Sequence, residues 1–360
     1  MNTEIELKLA VTPQALPLLQ QYLNQFNLLE NKTVFLKNTY YDYPDNFLAQ
    51  QKMGLRVRCE NDQRTLTLKT DGDVRGGLHL RPEYDLPLAE NESPTTERLN
   101  TLYPFRDLPQ APLIPIFSTN FDRTLWRIQF ERAQIEAAFD QGKIISNNKT
   151  QPICEIEFEL KTGSLDELFR FVADLPFERD IYFSGASKAL RGYRLSEGDK
   201  AGSAFDWPTI WRRFLATENA ENRQSAVDFR EKSACLLKIE QQLIEETLSK
   251  PTALLASNFV QTVEQVGAFF NLYHYYVENI ELWENGLMSV NQVENELAAQ
   301  TILPSLAASH RALQEEIKAL IRFHSESRDN VQTIEKLRAL LTDRDYMMRM
   351  INLMRLTLIK

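Results

Sequence analysis

Two short acidic segments, far apart in the chain, carry the residues best suited to chemistry. In both segments charged residues alternate with apolar ones, and residues two apart lie on the same face of a β-strand. Carboxylate oxygens gathered in this way suit hard cations such as Mg²⁺ and Mn²⁺. A single charged strand face is typical of a solvent-exposed sheet, but the repetition favours a shared site. The charged positions are Glu4, Glu6 and Lys8 in the first segment and Glu155, Glu157 and Glu159 in the second.

Each acidic strand is followed by a predicted amphipathic helix. Thr12 and Pro13 supply a capping residue and a proline at the first helical position. Ser164 and Glu167 have the spacing of a capping box. A strand-helix unit that occurs at two distant points suggests two related halves that form one site.

Basic residues occupy the strands between the two acidic segments. Guanidinium groups bind phosphate oxygens bidentately, and lysines act as point charges. A closed sheet with charged residues facing inward would form a tunnel lined by both signs. Such a tunnel would suit an anionic ligand that also binds metal ions. We place Gly142 in the turn before the second acidic strand and His79 on the face opposite Arg81, in a structural role. The basic positions are Arg56, Arg58, Lys69, Arg81 and Arg123.

Composition narrows the class of protein. The chain has 360 residues, a formal net charge of -9 and three widely spaced cysteines. The acidic balance argues against a general nucleic-acid binder. The cysteines suggest neither a disulfide framework nor a zinc site. No apolar run is long enough to span a bilayer, so we expect no membrane partner and a cytoplasmic location.

The secondary-structure pattern changes near the middle of the chain. Residues 1–200 are strand-rich, 201–216 form a predicted linker, and 217–360 are almost entirely helical. We expect breaks between long helices near Pro251, Gly286 and Pro304. The apolar stripes of the second half are typical of an antiparallel helical bundle. The predicted fold class is therefore α+β, with a sheet domain followed by an all-α domain.

Several motifs in residues 1–200 resemble the CYTH family, the triphosphate tunnel metalloenzymes. The resemblance implies an eight-stranded antiparallel tunnel with flanking helices. It implies metal binding by Glu4, Glu6, Glu155, Glu157 and Glu159, with Lys8, Lys188 and Glu157 as catalytic residues. It implies phosphate binding by the five basic residues named above together with Lys8 and Lys188. The motifs are Glu4-x-Glu6-x-Lys8, Leu55-Arg56-Val57-Arg58, Thr67-Leu68-Lys69, Arg81-x-Glu83, Glu155-x-Glu157-x-Glu159 and Ser187-Lys188-x-x-Arg191-Gly192-Tyr193.

Within this family the chain is most similar to bacterial inorganic triphosphatases. The resemblance implies hydrolysis of inorganic triphosphate to diphosphate and phosphate, with Mg²⁺ or Mn²⁺, two ions per site, and a metal-activated water. Adenylate cyclase, thiamine-triphosphatase and nucleoside-triphosphatase activities remain alternatives, as does a non-catalytic polyphosphate or nucleotide sensor. Residues 217–360 stand where related proteins carry a CHAD domain, a helical module associated with polyphosphate binding. None of the four histidines has the closely spaced arginines typical of that module, and His310-Arg311 and His324 to Arg328 match it only weakly, so we interpret this half as CHAD-like or degenerate.

Overall fold

The computed structural model describes residues 2–197, 206–220, 226–280 and 293–358. The chain divides into two compact units. The first contains residues 1–176 and 184–202, and the second contains 177–183 and 203–360. The short segment 177–183, which includes strand β10 (Tyr182–Phe183), therefore belongs with the helices.

The first unit is a closed antiparallel β-barrel of eight strands, as predicted. The strands pair in the order β1-β9-β8-β7-β2-β3-β4-β6, and β6 pairs again with β1 to close the barrel. A short ninth strand, β5, pairs only with β6. The bounds are β1 (Asn2–Ala10), β2 (Asn27–Asp42), β3 (Gly54–Glu60), β4 (Gln63–Lys69), β5 (Asp73–Arg75), β6 (Leu78–Leu88), β7 (Ile114–Phe130), β8 (Ala133–Ser146) and β9 (Lys149–Thr162).

The alternation of the strands separates a charged interior from an apolar exterior. Leu7 and Leu9 point outward from β1 and are fully buried beneath helices, with Leu19 of α1 and Phe171 of α4. The predicted capping box at Ser164 and Glu167 is present at the start of α4. A second apolar cluster covers the outer face of β3 and β4. The helices of this unit are α1 (Ala15–Leu23), α2 (Phe47–Gln50), α3 (Thr96–Leu102), α4 (Leu165–Ala173) and α5 (Lys188–Glu197).

Helix α5 fills one end of the barrel. Its Tyr193 joins an apolar cluster of inward-facing residues that includes Tyr40 and Phe117. The Tyr193 hydroxyl donates a 2.8 Å hydrogen bond to the buried carboxylate of Asp42. Asp42 also accepts backbone N–H groups at the start of α2, so a single buried carboxylate ties two helices to β2. The second half of α5 is consequently held at this end of the barrel by apolar packing and by this buried carboxylate.

Gly192 allows α5 to approach the barrel wall. A Cβ at this position would lie 2.0 Å from the Phe117 ring, whereas a Cβ at Gly267 in the second unit would meet nothing within 4 Å. We expect Gly192→Ala to destabilise the first unit by about 1–3 kcal/mol through overpacking. The control Gly267→Ala should be neutral or stabilise by roughly 0.5–1 kcal/mol, because alanine favours helix more than glycine does. Urea unfolding measures both, and equal effects would contradict the close packing of α5.

The position predicted for Gly142 is wrong. Gly142 lies inside β8 rather than in a turn, and β8 continues to Ser146. The turn falls after it, where Asn147 has φ 51°. A Cβ on Gly142 would lie 2.2 Å from the backbone oxygen of Asn120 on β7. The glycine is therefore required by the close approach of two strands and not by a reversal of the chain.

The second unit is helical, as predicted. Within it the helix of residues 259–278 packs against the helix of residues 293–327, and the helix of residues 226–249 packs against the helix of residues 344–358. The break near Pro251 is confirmed, since α7 ends at Ser249 and α8 begins at Thr252. The helices are α6 (Trp207–Ala220), α7 (Ala226–Ser249), α8 (Thr252–Leu255), α9 (Phe259–Glu278), α10 (Val293–Ser327), α11 (Asn330–Leu341) and α12 (Arg344–Leu358).

Two other expectations about this half differ from the structure. A break at Pro304 is wrong, because α10 runs through it. Pro304 lies on the exposed side, while Leu303 and Leu306 are buried, so packing of the helix outweighs the lost backbone hydrogen bond. Part of the predicted linker, from Trp207 onward, is helical. The expected break at Gly286 lies outside the described residues, and no helix among the described residues is long and apolar enough to cross a membrane.

Candidate active site

The barrel encloses a cavity of about 850 Å³. Its wall contains inward-facing charged residues of seven strands, with Lys188 contributed by α5. Of the residues predicted for the site, only Glu155 does not line the cavity; it lies just beneath the wall and is 2% exposed. The predicted residues in the wall are Glu4, Glu6, Lys8, Arg56, Arg58, Lys69, Arg81, Arg123, Glu157, Glu159 and Lys188.

Two guanidinium groups in this wall lack an anionic partner. Among the described residues, neither Arg58 nor Arg81 forms an ion pair. The Arg58 side chain donates only to the Asn38 amide oxygen, at 3.0 Å. Burial and the neighbouring cations Arg56 and Arg123 together lower the pKa of Arg58 to about 10, against smaller opposing effects of Tyr40 and Glu83. Both residues are half-buried, and cations in such a partly desolvated wall are costly unless an anion joins them.

Other basic residues of the site are partly neutralised by carboxylates. Arg56 lies 3.4 Å from Glu83, and Lys69 lies 3.5 Å from the same side chain. Lys69 also contacts Glu4. Burial lowers the pKa of Lys69, but Glu4, Glu6 and Glu83 outweigh burial and raise it overall. Glu83 was part of a predicted motif but had no assigned role, and the structure shows that it orients two of the predicted phosphate ligands.

The Glu6 carboxylate has no cation within ion-pair distance among the described residues. It faces the cavity from the centre of β1. Burial, followed by the negative charges of Glu157 and Glu4, raises its pKa to about 8, although the ammonium groups of Lys69 and Lys8 act to lower it. Because oxygen donors of this type suit hard divalent cations, the surroundings of Glu6 fit a metal ion. The structure thus leaves a carboxylate without an ion pair where the sequence predicts metal binding.

A second cluster of carboxylates is already neutralised by cations of the protein. Carboxylate oxygens of Asp140, Glu155 and Glu157 lie within 4.8 Å of one another. We call these three residues the acidic triad. Four cations contact the triad. Lys188 contacts all three carboxylates. Arg123 lies 2.6 Å from Asp140 and 2.7 Å from Glu157, while Lys8 and Arg191 lie 2.7 Å and 3.0 Å from Glu155.

Asp140 is the main site residue that sequence reasoning missed. Its inward face could be predicted from strand alternation with Glu136, but its partners could not. The register that places Asp140 opposite Arg123 on one side and Glu155 on the other follows from pairing between strands. Arg123, predicted as a phosphate ligand, is consequently held by two carboxylates.

Glu159 lies apart from the triad, toward the other end of the cavity. It pairs with Lys161 at 2.6 Å and stands opposite Glu6 in the register of β1 and β9. Burial raises its pKa, which the Lys161 ammonium only partly offsets. Lys161 also lies 3.7 Å from Glu136, which extends the charged lining beyond the predicted set.

The predicted orientation of His79 is wrong. His79 and Arg81 are two residues apart on β6 and therefore share the inward face, opposite Glu6 of β1. Its structural role is consistent with its surroundings: the side chain is 1% exposed, and Nε2 lies 3.1 Å from the Ser184 carbonyl oxygen. Burial lowers the pKa of His79 to about 3, and the charges of Arg81 and Lys8 act in the same direction. The imidazole is therefore neutral at physiological pH.

Comparison with known proteins agrees with this geometry. A family model described as "CYTH domain" matches residues 2–193. This chain belongs to the CYTH family. The CYTH match spans the whole barrel and ends in α5. An inorganic triphosphatase of Haemophilus influenzae is 56% identical over 357 residues, which cover 99% of this chain and 98% of that protein.

Solved structures similar to this CYTH chain cover about half of its length. A Hippeastrum protein described as an adenylyl cyclase with a dominant triphosphatase activity is 21% identical and covers 53% of this chain and 96% of its own, with a TM-score of 0.40. A Bacillus halodurans protein described as an adenylate cyclase is 19% identical and covers 53% of this chain and 98% of its own, with a TM-score of 0.35.

Proposed function

We propose that this protein hydrolyses inorganic triphosphate to diphosphate and phosphate inside the barrel, in a metal-dependent reaction. One observation carries the proposal: among the described residues, a single cavity holds two guanidinium groups, Arg58 and Arg81, and a carboxylate, Glu6, that form no ion pair. A metal-bound polyphosphate supplies both missing charges at once. The Haemophilus influenzae relative, similar over nearly its whole length, supports triphosphate as the substrate.

The basic wall would bind and orient the phosphate chain. Arg58 and Arg81 are free to form bidentate contacts, and Arg56 and Lys69 can share their charge between Glu83 and the substrate. These groups lie in a confined cavity, where fixed charges act more strongly than they do in water. They would hold the leaving diphosphate and stabilise the negative charge that develops on it. No covalent intermediate with the protein is needed.

The acidic wall would hold the metal. We propose Mg²⁺ or Mn²⁺, two ions per loaded site, with Glu4, Glu6 and Glu159 as the carboxylates nearest to them; the predicted metal ligand Glu157 is already contacted by Lys8, Arg123 and Lys188. When bound, such ions neutralise phosphate oxygens and lower the pKa of a bound water so that it can attack. Lys8 and Lys188 lie beside Glu157, where they would fix its orientation and add positive charge near the reacting end.

A substrate panel tests the proposal. Phosphate release is measured from triphosphate, ATP, thiamine triphosphate and long-chain polyphosphate, with Mg²⁺, with Mn²⁺ and with neither. We expect fast release from triphosphate only, and only with metal. Much faster release from ATP would contradict the assignment of substrate. Anion binding without any hydrolysis would instead indicate a sensor.

Polyphosphate binding by the helical unit and a cytoplasmic location both stay predictions. Among the described residues of that unit, His310 is 1% exposed and stacks on Tyr276, and His324 stacks on Phe259. These histidines are thus engaged in packing. The measurement with long-chain polyphosphate in the substrate panel tests whether polyphosphate is used by the protein that carries this unit.

A further inference from the structure

The ammonium group of Lys188 lies at the centre of the acidic triad. Its Nζ is 2.6 Å from Asp140 Oδ2 and 2.9 Å from Glu157 Oε1, and it also contacts Glu155. The side chain is 6% exposed, and its Nζ lies 5.1 Å from the centroid of the Phe121 ring. Among the described residues, this is the group of metal-ligating side chains whose oxygens converge most closely, and a lysine fills it.

The local charge balance leaves no requirement for a metal ion in the triad. Three carboxylates are contacted by four cations, Lys8, Arg123, Lys188 and Arg191. A divalent ion added here would meet a net positive environment and would have to displace a buried ammonium. Glu6 differs: Glu4 and Glu157 are its carboxylate neighbours, the ammonium groups of Lys69 and Lys8 act on it, and among the described residues no cation forms an ion pair with it.

The chain fixes Lys188 in this position from α5. Lys188 is the first residue of the helix, and the Ser187 hydroxyl caps it by accepting the backbone N–H of Leu190 at 3.1 Å. One turn later, Arg191 donates to Glu155 at 3.0 Å. A cation at a helix N-terminus opposes the helix dipole, so its placement depends on the carboxylates it contacts. The first turn of α5 is thereby attached to β8 and β9 by two cationic side chains.

We propose that Lys188 acts as a built-in cation that closes the acidic triad to metal and confines metal binding to the Glu4 and Glu6 side of the cavity. The proposal rests on the proposed function only in placing the metal near Glu6. Any second ion of the loaded site would therefore lie among substrate oxygens and not within the triad. Lys188 in this way determines how many metal ions the protein binds before substrate arrives.

The test counts Mn²⁺ ions bound without substrate, by electron paramagnetic resonance of free Mn²⁺ and by titration calorimetry. The wild-type protein should bind about one ion, and Lys188→Met should bind about two, because the position of the ammonium is then open to an ion and the triad is balanced by three cations, Lys8, Arg123 and Arg191, instead of exceeded by four. Lys188→Arg, which keeps the charge, should stay at about one. Two ions in the wild-type protein, or no gain in Lys188→Met, would overturn the proposal.

A double variant and a stability measurement locate the new ion. Lys188→Met combined with Asp140→Asn should return the count to the wild-type value, because one triad ligand is then neutral. If Lys188→Met is less stable, Mn²⁺ should raise its melting temperature more than that of the wild-type protein. Equal shifts would count against the proposal. These readouts need no turnover, so a protein that hydrolyses no triphosphate but gains an ion in Lys188→Met would overturn the proposed function alone.

Discussion

Replacement of Glu6 by glutamine is expected to reduce kcat for triphosphate by about 10²–10³-fold, the usual cost of removing one electrostatic contributor from an active site. Glutamine has nearly the same size but no negative charge, so it cannot neutralise a metal ion. Triphosphate binding should persist or tighten, because Arg58 and Arg81 remain unpaired and a repelling carboxylate is gone. Steady-state kinetics and calorimetric anion binding, each over a range of Mg²⁺ concentrations, measure the two effects.

The same substitution outside the cavity serves as the control for Glu6. Glu90 is exposed and does not line the cavity, so Glu90→Gln should leave both parameters unchanged. Loss of anion binding in Glu6→Gln would show that Glu6 supports the fold of the cavity instead of holding metal. Unchanged turnover would show that the metal binds elsewhere.

Arg349→Met is expected to be the most destabilising change in the helical unit. Arg349 and Glu240 are both fully buried and joined by two hydrogen bonds, one of 3.1 Å. The hydroxyls of Tyr276 and Tyr346 donate to the same carboxylate, at 3.1 and 2.6 Å. The guanidinium lies 5.2–5.5 Å from the rings of these tyrosines and of Tyr273. Removing Arg349 leaves the buried charge of Glu240 without its ion-pair partner, which lowers the free energy of unfolding by about 3–5 kcal/mol. Circular dichroism of helix content during urea unfolding measures the loss.

A double replacement distinguishes two causes of the lost stability: the unpaired charge of Glu240 and the loss of packing around Arg349. Arg349→Met combined with Glu240→Leu should recover most of the stability, because a buried ion pair can be exchanged for apolar groups at little cost. Lys318→Met removes an exposed pair with Glu315 and should have no measurable effect. A double variant no more stable than Arg349→Met would indicate that the tyrosine cluster itself needs the guanidinium.

Strand alternation predicted which residues face the interior, because the period of two is a local property. It placed Glu4, Glu6, Arg56 and Arg58 correctly, and the eight-stranded closure followed from the resemblance to the CYTH family. The same period of two places His79 on the inward face with Arg81, which corrects the orientation predicted for it.

The pairing of charges could not be predicted from local pattern. That Asp140 meets Arg123 and Lys188 depends on the register of β7 with β8 and on the docking of α5, both of which are set by distant parts of the chain. The positions of Gly142 and Pro304 likewise could not be predicted from local sequence pattern. Glycine and proline usually interrupt elements, but here a close strand approach and a buried helix face decide the outcome.

Phosphorus NMR of triphosphate hydrolysis tests the central claim most directly. Spectra of the full-length protein with Mg²⁺ should show triphosphate converted to equal amounts of diphosphate and phosphate, and a chelator such as EDTA should stop the conversion until metal is restored. Conversion that continues unchanged in the chelator, or triphosphate that stays intact with both metals supplied in turn, would contradict a metal-dependent triphosphatase in the barrel.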